Sequence, residues 1–188
     1  AGTGATMSAM MRRTPNSVDA ARAICLARAR RASLPSFAGW LALAGAIIVA
    51  DFATKAWMLS AFHLHESVVV TSFFNLVLVM NPGASFSFLA DAGGWQRWFF
   101  VILALVISAW LVVLIRHHAR ERLMPAALAL VLGGALGNVV DRIRFGAVVD
   151  FLDFHFAGWH WPAFNVADSA ITVGVILLLW QQLTHKSQ

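Results

Sequence analysis

The chain has 188 residues, of which 60% are hydrophobic and only 12% are charged, and this balance excludes an ordinary soluble domain. Its formal net charge is +5, and six of its fourteen basic residues are arginines that precede the first long apolar segment (Arg12, Arg13, Arg22, Arg28, Arg30 and Arg31). Basic residues clustered beside an apolar span are typical of a cytoplasmic membrane flank, so the charge does not indicate a nucleic-acid partner. The sequence therefore predicts a membrane protein.

The amino-terminal region, residues 1–34, is predicted to be an Arg-rich cytoplasmic tail. It begins AGTGAT without a methionine, so residues 1–6 are interpreted as a cloning remnant, and Met7, Met10 and Met11 are the candidate starts. Cys25 is the only cysteine in the chain, which rules out an intramolecular disulfide. No pattern in the tail indicates what it does.

The region that follows, residues 35–185, is predicted to be a single all-α membrane domain with four transmembrane helices. Crossing a hydrocarbon core about 30 Å thick takes about 20 mostly apolar residues. Charged residues delimit four such segments: Pro35 to Leu59, Trp98 to Ile115, Leu123 to Val140, and a last segment that begins at Pro162 or Phe164 and ends at Leu183. The third segment carries Gly133, Gly134 and Gly137, small residues that let another helix approach closely.

The distribution of arginines predicts the orientation of these helices. The tail contributes six arginines and the connection Arg116 to Arg122 contributes three more, whereas the other two connections hold fewer and are diluted by acids. Because basic loops stay in the cytoplasm, both termini are predicted to be cytoplasmic. The connections at residues 60–96 and 141–161 are then on the outer face.

The first outer connection is predicted to contain a small β-rich element between helices 1 and 2. Ser67 to Val79 (SVVVTSFFNLVLV) is rich in β-branched and aromatic residues, and the turn sequence Asn81-Pro82-Gly83 follows it. The segment is too short and too polar to cross a bilayer. We expect a small sheet at the membrane surface.

Four carboxylates are predicted at the outer ends of the spans or just beyond them: Asp51, Asp141, Asp150 and Asp168. Carboxylates beside hydrocarbon are costly and usually functional. Two of them delivered by neighbouring helix ends can share a proton, so that one activates a water while the other polarises a scissile carbonyl. Helix capping remains an alternative for any one of these residues.

Asp141 and Asp153 have simpler interpretations. Asp141 is followed by Arg142 and is expected to form an ion pair with it that anchors the third helix. Asp153 lies three residues beyond Asp150 and is expected to be a solvated loop carboxylate.

Five ordered sequence blocks resemble the lipoprotein signal peptidases, the signal peptidase II family of membrane aspartic proteases. They are Asp51-Phe-Ala-Thr-Lys55, Asn81-Pro-Gly-Ala-Ser-Phe86, Gly137-Asn-Val-Val-Asp-Arg142, Val148-Val-Asp-Phe151 and Phe164-Asn-Val-Ala-Asp168. The resemblance implies that Asp150 and Asp168 form the catalytic dyad. It implies site-supporting or substrate-binding roles for Asp51, Lys55, Asn81, Gly83, Asn138, Asp141, Arg142 and Asn165.

The resemblance also implies a substrate and a location. The substrate is a prolipoprotein whose cysteine carries diacylglycerol, cut on the amino side of that cysteine, and membrane lipid is the other partner. The enzyme is expected to be a monomer in the bacterial inner membrane, with its active site at the outer, periplasmic face. No cofactor and no metal are expected.

Other functions fit the sequence less well. Of the seven histidines, His63 with His65, His117 with His118, and His155 with His160 are close pairs, but none has a third ligand at a recognised spacing. A small-ion or proton transporter that uses interfacial carboxylates is the alternative from another class. It would place acids near the membrane midplane and show inverted repeats, and the sequence has neither pattern.

Overall fold

The computed structural model describes residues 36–83 and 94–185, which form four long helices and four short strands. The predicted tail at residues 1–34, with Cys25, lies outside the described residues, so its separation from the membrane domain at 35–185 stays a prediction. The end of the block Asn81 to Phe86 also lies outside them, from residue 84 onward.

The four helices are α1 (Phe37–Ala61), α2 (Trp95–His117), α3 (Leu123–Phe145) and α4 (Val166–His185). Each is long and apolar enough to cross a bilayer, which confirms the predicted four-helix membrane fold. The predicted bounds are less accurate. α3 continues past Val140 to Phe145, and α4 begins at Val166 rather than at Pro162 or Phe164.

The exposed faces of the helices are apolar, as expected of surfaces that contact lipid. On α2, Ile102, Val106, Trp110 and Val113 are all more than half exposed and recur at helical spacing. A soluble domain would bury such a stripe, because a contiguous exposed apolar patch is costly in water. The bilayer is therefore the solvent for this face.

α3 is the central helix and packs against the other three. Its glycines make the close approach possible: a Cβ at Gly137 would lie 2.8 Å from Asp51 Oδ2, and a Cβ at Gly134 would overlap the Ala167 carbonyl oxygen. Any larger side chain there would push α1 or α4 away. The close-packing role predicted for the glycines is therefore confirmed. The close approach of α1 and α4 to α3 also brings polar residues of the three helices together.

The strands form one antiparallel arrangement in the order β1 (Ser67–Thr71), β2 (Phe74–Asn81), β3 (Val148–Phe156) and β4 (Trp159–His160). β1 and β2 confirm the small sheet predicted between helices 1 and 2. The connection between α3 and α4 adds β3 and β4, two strands that the sequence did not predict. Register pairs Val79 with Asp150 and Asn75 with Asp153.

One face of the sheet packs on the end of α1. Met58 of α1 is fully buried against Leu78 of β2 and against Val149 and Phe151 of β3. Burying these side chains contributes about 1.5–3 kcal/mol each. The contact fixes β3, and with it Asp150, beside the ends of α1 and α4.

Candidate active site

Asp150 lies in β3 and Asp168 in the first turn of α4, and one asparagine contacts both residues. Asn165, which is completely buried, donates from Nδ2 to Asp150 Oδ1 at 2.7 Å. Its Oδ1 accepts the backbone N–H of Asp168 at 2.9 Å, which caps the start of α4. The two aspartates are therefore brought to one site by the side chain that begins the helix.

A second asparagine holds the other oxygen of Asp150. Asn81, at the end of β2, donates from Nδ2 to Asp150 Oδ2 at 3.1 Å, and its own Oδ1 accepts the N–H of Gly83 at 3.1 Å. The Asn81-Pro82-Gly83 turn thus closes on the carboxylate. Both Asp150 oxygens have amide donors, which fixes the carboxyl plane.

Asn138 and Arg142 of α3 contribute to the same site. Asn138 donates from Nδ2 to Asp168 Oδ1 at 2.8 Å. Arg142 donates from Nη2 to the Gly83 carbonyl at 2.9 Å, and its charge interacts with Asp150 and Asp168. The structure therefore brings Asn138 and Arg142 next to the two aspartates, together with the turn at Gly83.

Asp51, Lys55 and Asp141 form an ion cluster beneath this site. The Lys55 ammonium lies 2.7 Å from Asp51 Oδ2 and 2.8 Å from Asp141 Oδ2, and all three residues are buried. The predicted ion pair between Asp141 and Arg142 is therefore wrong. Helix α3 passes through residue 141 instead of ending there, which turns Asp141 inward to Lys55 and Arg142 toward Gly83 and the Phe100 ring.

Asp150 lies outside the spanning helices, and its surroundings favour the protonated form. Burial, with repulsion from the nearby Asp168 carboxylate, raises the pKa of Asp150 from 3.8 to about 7; hydrogen bonds from Asn81 and Asn165 and the charge of Lys55 oppose the rise. A carboxyl group with this pKa is protonated in about half of the molecules at pH 7, and in more of them at lower pH. The protonated form is the state a shared-proton pair requires.

Asp153 is buried and belongs to a separate polar cluster, so its interpretation as a solvated loop carboxylate is wrong. Its carboxylate accepts a hydrogen bond from Asn75 Nδ2 at 2.9 Å and lies 2.9 Å from His160 Nδ1. The His160 ring stacks on His155. Asn75, a polar residue between the apolar Phe74 and Leu76 of β2, was the sequence signal for a buried partner.

Among the described residues, no group of three or more His, Cys, Asp or Glu side chains is placed to hold a metal ion. The carboxylates beside the dyad are already paired with Lys55. The absence of a metal and of a cofactor stays a prediction.

Comparison with known proteins identifies the family. The family model of signal peptidase (SPase) II matches residues 43–184. A lipoprotein signal peptidase of Azoarcus sp. (strain BH72) is 59% identical over 144 residues, which cover 77% of this chain and 82% of the relative. One from Janthinobacterium sp. (strain Marseille) is 51% identical over 151 residues, covering 80% and 92%. The chain belongs to the signal peptidase II family.

Solved structures agree with membership in the signal peptidase II family. Two bacterial membrane enzymes, both determined by the in meso method, are 33% identical to this chain, with TM-scores of 0.72 and 0.68. The first match covers 79% of this chain and 89% of the other, and the second covers 77% and 92%. The chain is thus a protease of a bacterial membrane family, and the transporter alternative receives no support.

Proposed function

We propose that the chain removes signal peptides from prolipoproteins that carry a diacylglyceryl cysteine, cutting on the amino side of that cysteine, with Asp150 and Asp168 as the catalytic dyad. The single observation that carries the dyad is that the buried Asn165 side chain contacts both residues, a buried Asp150 and a half-buried Asp168. Membership in the signal peptidase II family supports the substrate.

The proposed reaction is a direct attack by water. The ionised Asp168 takes a proton from the water, and the water oxygen adds to the scissile carbonyl carbon. In the same step the protonated Asp150 gives its proton to the carbonyl oxygen. When the tetrahedral intermediate collapses, Asp150 recovers its proton, the C–N bond breaks, and Asp168 protonates the departing amine. The pKa of Asp150 near 7 supports its role as the proton holder.

The other residues of the site have supporting roles in this scheme. Asn81, Asn138 and Asn165 orient the two carboxylates, and Arg142 holds the turn at Gly83 over the site. The ion cluster of Asp51, Lys55 and Asp141 supports the site from the side of α1 and α3. A substrate with two acyl chains stays in the bilayer, which fits a site at the end of lipid-facing helices.

The substrate is tested with purified protein in detergent and two peptides of the same lipobox sequence, one with a diacylglyceryl cysteine and one with a free cysteine. Because the acyl chains supply much of the binding free energy, kcat/KM for the lipidated peptide should be higher by at least about a hundredfold. Mass spectrometry of the products locates the cut. Equal cleavage of both peptides, or a cut elsewhere, would contradict the proposed substrate.

The proposed orientation places the active site at the periplasmic face, and reporter fusions test it. Fusions after Gln188 and within Arg116 to Arg122 should behave as cytoplasmic, and fusions near Glu66 and Gly158 as external, because the arginine-rich connections stay inside. An alkaline phosphatase and a green fluorescent protein series give opposite readouts at each position. An external carboxy terminus would refute the topology. The monomeric state stays a prediction.

A further inference from the structure

Lys55 uses its whole hydrogen-bonding capacity inside the protein. It is 2% exposed, and its ammonium contacts three oxygens: Asp51 Oδ2 at 2.7 Å, Asp141 Oδ2 at 2.8 Å and Asn138 Oδ1 at 3.1 Å. An ammonium group has three donors, so each contact takes one. The side chain therefore joins α1 to two points of α3 in a fixed geometry.

Each carboxylate bound to Lys55 also holds the backbone next to one catalytic aspartate. Asp51 Oδ1 accepts the N–H of Ala167 at 2.9 Å, and Ala167 immediately precedes Asp168. Asp141 Oδ2 accepts the N–H of Val149 at 3.1 Å, and Val149 immediately precedes Asp150. Each carboxylate thus binds the backbone N–H of the residue just before one aspartate of the dyad. We call these two contacts the α4 arm, from Asp51 to Ala167, and the β3 arm, from Asp141 to Val149.

The third contact of Lys55 reaches the dyad through a side chain. Asn138 accepts from Lys55 through Oδ1 and donates from Nδ2 to Asp168 Oδ1 at 2.8 Å. The charge on Lys55 polarises this amide and strengthens the bond to the aspartate. Lys55 is therefore connected to both aspartates without touching either one.

From this symmetry we infer that Lys55 is a positioning residue that sets the separation of the two catalytic carboxylates, holding Asp168 through Asp51 and Asn138 and Asp150 through Asp141. The inference rests on the proposed function, because it assigns Lys55 a role in the reaction of that dyad. Two carboxylates that share a proton titrate as a pair, and their coupling depends on their separation. Removing the ammonium lets the α4 and β3 arms move independently.

The test compares variants in the full-length protein in detergent. Lys55→Met alone leaves two buried, unpaired carboxylates and can prevent folding. The triple variant Asp51→Asn, Lys55→Met, Asp141→Asn also removes the charges of the two carboxylates. Its two asparagines keep oxygen acceptors for the backbone N–H groups of Ala167 and Val149. Thr54→Val is the matched control, because the Thr54 hydroxyl bonds only to carbonyls of its own helix, those of Ala50 and Asp51.

The folded triple variant should lose about a hundredfold in kcat with KM within about threefold of the parent, since small misplacements of reacting groups are costly. Its pH–rate profile should narrow by about one pH unit, because the coupling between the two carboxylates weakens. Thr54→Val should keep the parent kcat and profile. A role confined to stability would change the melting temperature and leave the profile of the folded fraction unchanged.

A folded triple variant with kcat within threefold of the parent and the parent's profile would overturn the inference. If the triple variant does not fold, the single variant Asp141→Asn tests the inference. This variant keeps Lys55 and weakens only the contact that holds Val149. The folded protein should then show residual turnover and a narrowed pH–rate profile. Parent-like kcat and profile in that variant would overturn the inference equally. Failure of the parent itself to cleave the lipidated peptide would instead contradict the proposed function.

Discussion

Asp150→Asn and Asp168→Asn should each reduce turnover of the diacylglyceryl lipobox peptide by at least about a thousandfold. Asparagine keeps the size of the side chain and an oxygen for Asn165, Asn81 or Asn138 to contact, so the protein should fold. It can neither take the proton of the attacking water nor share one with its partner. The measurement is turnover per folded enzyme, with folding checked by thermal unfolding in detergent.

Asp153→Asn is the matched control for the dyad variants. Asp153 is a buried carboxylate of the same strand, held by an asparagine as Asp150 is, but its contacts are with Asn75 and His160. The turnover of Asp153→Asn per folded molecule should stay near that of the parent. The double variant Asp150→Asn, Asp168→Asn should be about as inactive as either single variant, because residues acting as a unit are not additive. Near-normal turnover by either single variant would refute the dyad.

Asn165→Asp should have the second-largest effect, a loss of roughly a hundredfold to a thousandfold in kcat. Aspartate caps a helix as well as asparagine does, so the start of α4 is kept. The change replaces the amide that donates to Asp150 at 2.7 Å with a third carboxylate. Repulsion then displaces the Asp150 carboxyl group and disturbs the shared proton. Steady-state kinetics from pH 4 to 9 measure the effect.

Two comparisons separate this effect from simple destabilisation. Asn165→Ser keeps a capping oxygen but cannot reach Asp150, so it should fold and lose less activity than Asn165→Asp. Asn75→Asp makes the same chemical change against Asp153, in the separate polar cluster with His160, and should lower the melting temperature with little change in turnover per folded molecule. Equal kcat losses in Asn75→Asp and Asn165→Asp would show that the site assignment is wrong.

The four helices and the existence of the first hairpin could be predicted because local features determine them. Long apolar segments bounded by charge define spans, and the β-branched run before Asn81-Pro82-Gly83 defines strands. The end of α3 could not be predicted from the same rule. A charged pair such as Asp141-Arg142 normally ends a span, whereas α3 continues to Phe145 and pairs Asp141 with Lys55, a buried residue far away in sequence.

The site residues were found through the resemblance, whereas their pairings needed the structure. Sequence order suggested Arg142 as the partner of Asp141, but helix geometry points consecutive side chains in different directions. Without β3, the sequence predicts a solvated Asp153, because only the β2–β3 register brings Asn75 opposite it. The capping role of Asn165 cannot be predicted when α4 is expected to begin at Pro162 or Phe164, because Asn165 then lies inside the helix.

The pH dependence of kcat/KM for the parent enzyme tests the shared proton most directly. With one proton on the pair, activity falls at low pH, where both carboxyl groups are protonated, and at high pH, where both are ionised. Because burial raises the pKa of Asp150 to about 7, the alkaline limb should have its midpoint near pH 7. The assays contain a chelator at every pH, so that no metal ion contributes to the activity. A bell-shaped profile with that limb is the expected result. Activity that rises steadily to pH 9 would contradict an aspartate dyad that works through one shared proton.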